Sequence, residues 1–189
     1  MCGRFTQKAD KDKIAKEFVV SIPPETFFKP RFNIAPTQMI PVVLEADGER
    51  IVNLLRWGLI PSWAKDDKIG SKLINARAET VSEKPSFKNA FRSRRCVIPS
   101  SGFYEWQRVK KGAKQSFYFR LKDKDVFAFA GLWEEWLDKE TGEAVETCTI
   151  ITTECPLFSN QKITRSGSTK KNTIRTIYKN YSFHFWQKK

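Results

Sequence analysis

One histidine in 189 residues, His184, removes most of the acid–base and metal chemistry on which small enzymes commonly rely. The four cysteines, Cys2, Cys96, Cys148 and Cys155, contain no CxxC pair, so no common zinc pattern can be completed. Neither a metal nor a cofactor is therefore expected. No apolar run approaches the roughly 20 residues of a membrane span, and the start of the chain has no apolar signal region. A cytoplasmic protein with reduced thiols and no membrane partner is the expectation. Acidic residues are missing over 155–189, which carry eight Lys or Arg, whereas residues 1–154 hold 26 basic against 21 acidic side chains. The net charge of +13 points to a polyanion such as nucleic acid. Its distribution leaves the body of the chain only modestly basic.

What remains is rich in aromatics, with six Trp and fifteen Phe, and long enough to bury a sizeable core as one domain. Gln7 to Phe18 interleaves charges with Ile14, Ala15 and Phe18 at three- and four-residue spacing, which predicts a short amphipathic helix. Ser21 to Pro30 is a proline-rich extended loop. Met39–Leu44 and Ile51–Leu55 read as strands joined at the Asp47-Gly48 turn. Leu73 to Thr80 reads as a strand displaying Asn75, Arg77 and Glu79 on one face. Lys84 to Arg92 is helical in pattern. Further strands are expected at Arg94–Pro99, Ser116–Leu121, Val126–Trp136 and Glu146–Thr153, with turns at Lys110-Lys111-Gly112 and Thr141-Gly142. Strands joined by short turns predict an α+β domain, its predominantly antiparallel β sheets folded into a barrel-like core with a few peripheral helices. Cys96 and Cys148 fall in apolar strands and read as inert core thiols.

Three stretches carry candidate chemistry. If Met1 is removed, Cys2 offers an amine and a thiol on adjacent carbons, a pair that can condense with an aldehyde to a Schiff base and close a thiazolidine ring. At pH 7 an α-amine of pKa about 7.8 is roughly 14% neutral against about 0.04% for a lysine of pKa about 10.4, a several-hundred-fold advantage in reactive form. The plainer alternative is an accidental cysteine on a frayed terminus. Arg56 to Asp66 is a loop with Trp57 and Trp63, equally a core plug or a stacking surface for unpaired bases. Glu105 sits among Phe103, Tyr104 and Trp106, where apolar surroundings would raise its pKa towards neutrality; an outward-pointing strand residue is the alternative.

The blocks Met-Cys2-Gly3-Arg4-Phe5, Asn33-Ile-Ala-Pro36, Arg56-Trp-Gly-Leu-Ile-Pro-Ser-Trp63-Ala-Lys, Ile74-Asn75-Ala-Arg77-Ala-Glu79-Thr, Arg95-Cys-Val-Ile-Pro99 and Phe103-Tyr-Glu105-Trp106 occur in one order, and together they resemble the SRAP (SOS-response-associated peptidase) family. The resemblance covers residues 1–154. It implies a DNA-damage-response protein that binds single-stranded DNA and cross-links to abasic sites through Cys2 after autocatalytic loss of Met1. By the same resemblance Asn75 positions the reacting sugar and Glu105 handles protons. Arg4, Asn33, Pro36, Trp63 and Arg77 would contact the DNA, the arginines on phosphates and the tryptophan against a base. A monomer, nucleoid-associated when bound to damaged DNA, is expected.

The resemblance fails beyond residue 154. The family continues into a His-x-Arg-Met-Pro motif whose histidine assists Schiff-base chemistry, and nothing in 155–189 matches it. That basic segment reads as a truncated or frame-shifted remainder, and His184 cannot be carried over. Two alternatives stay open: a decayed paralogue binding single-stranded DNA passively, and a cysteine peptidase acting in trans, which would need a Cys–His pair.

Overall fold

A computed structural model describes residues 2–26, 28–108 and 114–153. The predicted Lys110-Lys111-Gly112 turn, the segment 155–189 and His184 lie outside these described residues. In chain order the elements are β1 (Arg4–Gln7), α1 (Lys11–Phe18), β2 (Arg31–Ile34), β3 (Met39–Ala46), β4 (Glu49–Trp57), β5 (Asn75–Arg77), α2 (Lys88–Ser93), β6 (Arg95–Ser100), β7 (Gly102–Arg108), β8 (Lys114–Phe119), β9 (Phe127–Leu137) and β10 (Ala144–Thr152).

Six strands pair in the order β4-β3-β6-β9-β10-β5, and an added pairing of β4 with β10 closes the first five into a barrel. The remaining four form a sheet in the order β2-β1-β7-β8. Aromatic contacts join the two layers: the Phe5 ring on β1 meets Trp57 at 5.2 Å and Phe129 at 5.8 Å, both edge to face. Such pairs add about 0.5–1.5 kcal/mol each beyond area burial. The predicted α+β fold with a barrel-like core is present, and most pairings are antiparallel as expected. β10 is the exception, pairing parallel with both β4 and β5.

Several boundaries differ from the pattern-based expectation, each for a local reason. Gln7 closes β1 instead of opening a helix; its side-chain amide donates to the Ala9 carbonyl at 2.8 Å. The helix begins only after Asp10, whose carboxylate accepts from the Lys13 N–H at 2.8 Å as an N-cap. The strand expected over Leu73–Thr80 contracts to Asn75–Arg77, because the Thr80 N–H bonds back to the Arg77 carbonyl at 3.1 Å and turns the chain. The predicted helix at Lys84 is turn until Lys88. The Asp47-Gly48 hairpin is as expected, with φ of 52° and 81° at the two residues.

Of the two tryptophans, Trp57 fills the core and Trp63 is exposed. Leu55 and Trp57 continue the inward alternation of β4 and are fully buried. Immediately after them Gly58 adopts φ 135°, and a Cβ there would stand 2.7 Å from the Gly70 carbonyl oxygen. That close backbone approach turns the chain out of the barrel into the loop carrying Trp63. Cys96 and Cys148 are buried free thiols, both pushed up by burial. No helix among the described residues is long and apolar enough to cross a membrane.

Candidate functional site

Cys2, Asn75 and Glu105 come from three distant parts of the chain and converge where the small sheet meets the barrel. Cys2 precedes β1, and its side chain is only 5% exposed, packed in the cluster that contains Phe5, Trp57 and Ile150. Asn75 opens β5, which lies parallel to the end of β10 with Asn75 opposite Ile150. The Asn75 side-chain amide donates to the Cys2 carbonyl at 2.8 Å. Its other end, Oδ1, is buried with no hydrogen-bond partner among the described residues. Uncompensated burial of such an acceptor costs about 1–3 kcal/mol, so this oxygen is held ready for a donor. The neighbouring backbone is fixed by the Trp57 indole N–H, which donates to the Ile74 carbonyl at 2.9 Å.

Glu105 belongs to β7, which runs antiparallel to β1 with Phe5 opposite Phe103 and Arg4 opposite Tyr104. Strand alternation places Phe103 and Glu105 on the side of Phe5, while Trp106 faces outward and is exposed. The outward alternative for Glu105 is thereby excluded. Burial, and after it the negative charge of Glu105, push the Cys2 thiol from an ordinary 9.0 up to about 12. At neutral pH roughly one thiol in 10⁵ would then be ionised. The Cys2 S–H faces the Arg4 carbonyl at 3.8 Å. Space beyond the Gly3 Cα is open, so a ligand can approach the backbone beside this buried group.

The other predicted residues form a rim. Arg4 donates to the Asn33 side-chain oxygen at 2.9 Å across the β1–β2 pair. Pro36 is half-buried in the turn after β2, and Thr37, at φ 71°, donates its N–H to the Trp57 carbonyl at 2.7 Å. This bond ties the Pro36 turn to the end of β4, where the Trp63 loop departs. Trp63 is 55% exposed while its neighbour Ala64 is buried. The loop beneath it is anchored: the Trp136 indole N–H donates to the Ala64 carbonyl at 2.9 Å and the Ile60 N–H to Thr147 Oγ1 at 2.9 Å. Arg77 is exposed at the end of β5, on the same strand face as Asn75. Direct contacts join Cys2 with Asn75 and Arg4 with Asn33; among the described residues Pro36, Trp63 and Arg77 stand at the rim without a side-chain bond to that centre.

Two supporting residues escaped the sequence pattern. Trp57 reads as loop by composition yet orients the segment before Asn75, and Trp136 reads as a core strand residue yet braces the Trp63 loop. The alternation of β4, carried two residues further, would have found the first. Nothing local signals the second, whose partner lies 72 positions away.

A family described as SOS response associated peptidase (SRAP) matches residues 1–163. Among named relatives, the abasic site processing protein YoqW of Bacillus subtilis is 48% identical over 155 residues, covering 82% of this chain and 69% of YoqW. The abasic site processing protein HMCES of Gallus gallus is 32% identical over 157 residues, covering 67% of this chain and 46% of HMCES. Among solved structures, a crystal structure of a protein from Bacteroides thetaiotaomicron superposes with a TM-score of 0.73 at 32% identity, over 81% of this chain and 68% of that one.

Proposed function

Because this chain belongs to the SOS response associated peptidase (SRAP) family, we propose that it captures abasic sites in single-stranded DNA covalently, through Cys2, once Met1 has been removed. Its relatives' name as abasic site processing proteins supports the substrate. The observation that carries the chemistry is the convergence of the Asn75 amide and the Glu105 charge on Cys2.

The substrate is the ring-opened sugar of an abasic site, an aldehyde. The freed amine of Cys2 attacks its carbonyl carbon, and the carbinolamine loses water to give a Schiff base. The thiol then adds across the C=N bond: sulfur bonds to the former carbonyl carbon, and the proton goes to nitrogen. Water is the one by-product, and the balance needs neither a metal nor a cofactor. A protonated thiol suits this order of events, since the amine is the first nucleophile. Glu105, beside Cys2, is suited to take a proton from the amine and return one to the departing hydroxyl. Asn75 holds the Cys2 backbone by its amide, and its unpartnered Oδ1 can accept from a sugar hydroxyl.

Around this centre Arg4 and Arg77 would anchor phosphates on either side of the lesion, Asn33 would orient Arg4, and Pro36 and Trp63 would wedge and stack against a kinked strand. Positioned anchors of this kind supply the effective concentration that a slow condensation needs. A peptidase acting in trans fits less well, because a cysteine nucleophile is normally a thiol of depressed pKa, the opposite of Cys2. The test is a denaturing gel with an abasic-site oligonucleotide, after intact mass has confirmed loss of Met1. A shifted band that vanishes in Cys2→Ala is expected; covalent attachment by protein that retains Met1 would refute the proposal.

A further inference from the structure

The side chains at alternate positions along β1 lead away from the site. Arg4 and Thr6 share the face of β1 opposite Phe5, Lys8 follows just past the strand's end, and six residues of chain place it at most about 20 Å from Cys2. There a cavity of about 250 Å³ opens, lined among others by Lys8, Lys13, Tyr118, Arg120, Lys124 and Asp125. It belongs to none of the machinery described above.

Its chemistry is cationic and aromatic together. The Lys8 ammonium stands 5.4 Å from the Phe32 ring centre and 5.1 Å from that of Tyr118. The Tyr118 hydroxyl is in turn bonded to Thr6 Oγ1 at 2.8 Å, which fixes the ring against β1. Gly102 makes room for it, since a Cβ there would stand 2.3 Å from the hydroxyl. Two of the four cations are already matched: Lys13 pairs with Asp125 at 2.5 Å and Lys124 with Glu17 at 2.6 Å. Asp10, which also lines the cavity, caps α1. Lys8 and Arg120 make no ion pair among the described residues, although Arg120 lies near enough to Asp125 to help lower its pKa. The matched pairs leave a net positive cavity with an aromatic wall, complementary to phosphate and nucleobase together.

We propose that this cavity holds a phosphate of the same unpaired DNA strand, several nucleotides from the lesion, with Lys8 and Arg120 as its ligands and the Phe32 and Tyr118 rings flanking the adjoining nucleotide. Continuity supports a strand over a free nucleotide, because Arg4, a phosphate anchor in the proposed function, lies between Cys2 and Lys8 in the chain. This inference rests on the proposed function for its substrate, and its test separates the two.

Abasic-site oligonucleotides are prepared with two or eight nucleotides on one side of the lesion, in 5′ and 3′ versions, and their cross-linking rates are measured below saturation. Extension on one side, and not on the other, should raise the rate several-fold in the natural protein. Lys8→Glu/Arg120→Glu should abolish that gain while cross-linking the short oligonucleotides as before. With undamaged oligonucleotide, the variant's binding should lose about 0.7 from its logarithmic salt slope, or roughly 2.6-fold less salt sensitivity between 50 and 200 mM. Equal gains from extension in both proteins, with unchanged salt slopes, would overturn the cavity assignment and leave the cross-linking proposal standing. If no oligonucleotide cross-links, the proposed function fails, and the salt slopes alone still decide the cavity. The milder Lys8→Ala/Arg120→Ala pair, matched to the natural protein in melting temperature, guards against a folding defect.

Discussion

Replacing Glu105 with Gln gives opposite predictions for two roles the carboxylate could play, and so separates them. The rise of the Cys2 thiol from 9.0 to about 12 corresponds to about 4 kcal/mol in favour of the neutral form. Burial is its first cause and the Glu105 charge its second. Glu105→Gln removes the second and keeps the first, so the thiol pKa should fall relative to the natural protein. Were thiolate formation limiting, this variant would react faster than the natural protein. Were Glu105 the proton carrier for Schiff-base formation, it would react about 10²–10⁴-fold more slowly, a barrier increase of roughly 3–5 kcal/mol. The second outcome is expected. Thiol titration by ultraviolet absorbance and single-turnover cross-linking, run on the same Met1-free samples, give both quantities. A variant with lowered thiol pKa and an equal or greater rate would refute the amine-first mechanism.

Other expectations are as definite. Trp63→Ala should barely alter urea denaturation but weaken single-strand binding by about 1–3 kcal/mol, whereas Trp57→Ala should destabilise the fold by about 3–5 kcal/mol; equal effects of the two on stability would contradict their assignments. Gly58→Ala forces a Cβ to 2.7 Å from the Gly70 carbonyl oxygen at φ 135°, so a loss of more than about 1 kcal/mol is expected in the same measurement. Glu134 is held above its ordinary value of 4.5 by burial, against the opposing pull of Arg94 at 3.0 Å. Its folded pKa exceeds its unfolded one, so folding binds the proton and stability declines as pH rises from about 4.5 through the raised value. Melting temperatures of Glu134→Gln across that range should decline less steeply than those of the natural protein; parallel curves would exclude Glu134 as the cause.

Where structure follows from neighbours in the chain, it was legible. The apolar runs around Val42, Ile98, Phe129 and Ile150 became barrel strands, and Asp47-Gly48 became a hairpin because the left-handed turn it requires suits those two residues. Gln7 was misjudged because its short period fits helix or strand, and tertiary pairing of Phe5 with Ile34 and Phe103 decides for strand. The parallel pairings of β10 with β4 and β5 could not be read at all, since each joins segments more than 70 positions apart. The site divides in the same way. Cys2 declared its own chemistry, an amine beside a thiol, but its approach to Asn75 and Glu105 depends on those long-range registers. Glu105 stood out as a lone carboxylate among aromatics, but without the resemblance to a known family Asn75 would have remained a polar position on an unremarkable strand.

β5 joins β10 through only three register pairs, from Ile150–Asn75 to Thr152–Arg77, at the margin of a barrel closed by other strands. Amide exchange should thus find Ala76 and Arg77 opening well before Val97 or Ala130. A molecule frayed there would keep its barrel and its spectroscopic signature of folding, yet its cysteine would have slipped its tether. Loss of reactivity on warming should therefore precede loss of shape, and an activity half-life would report on one short seam.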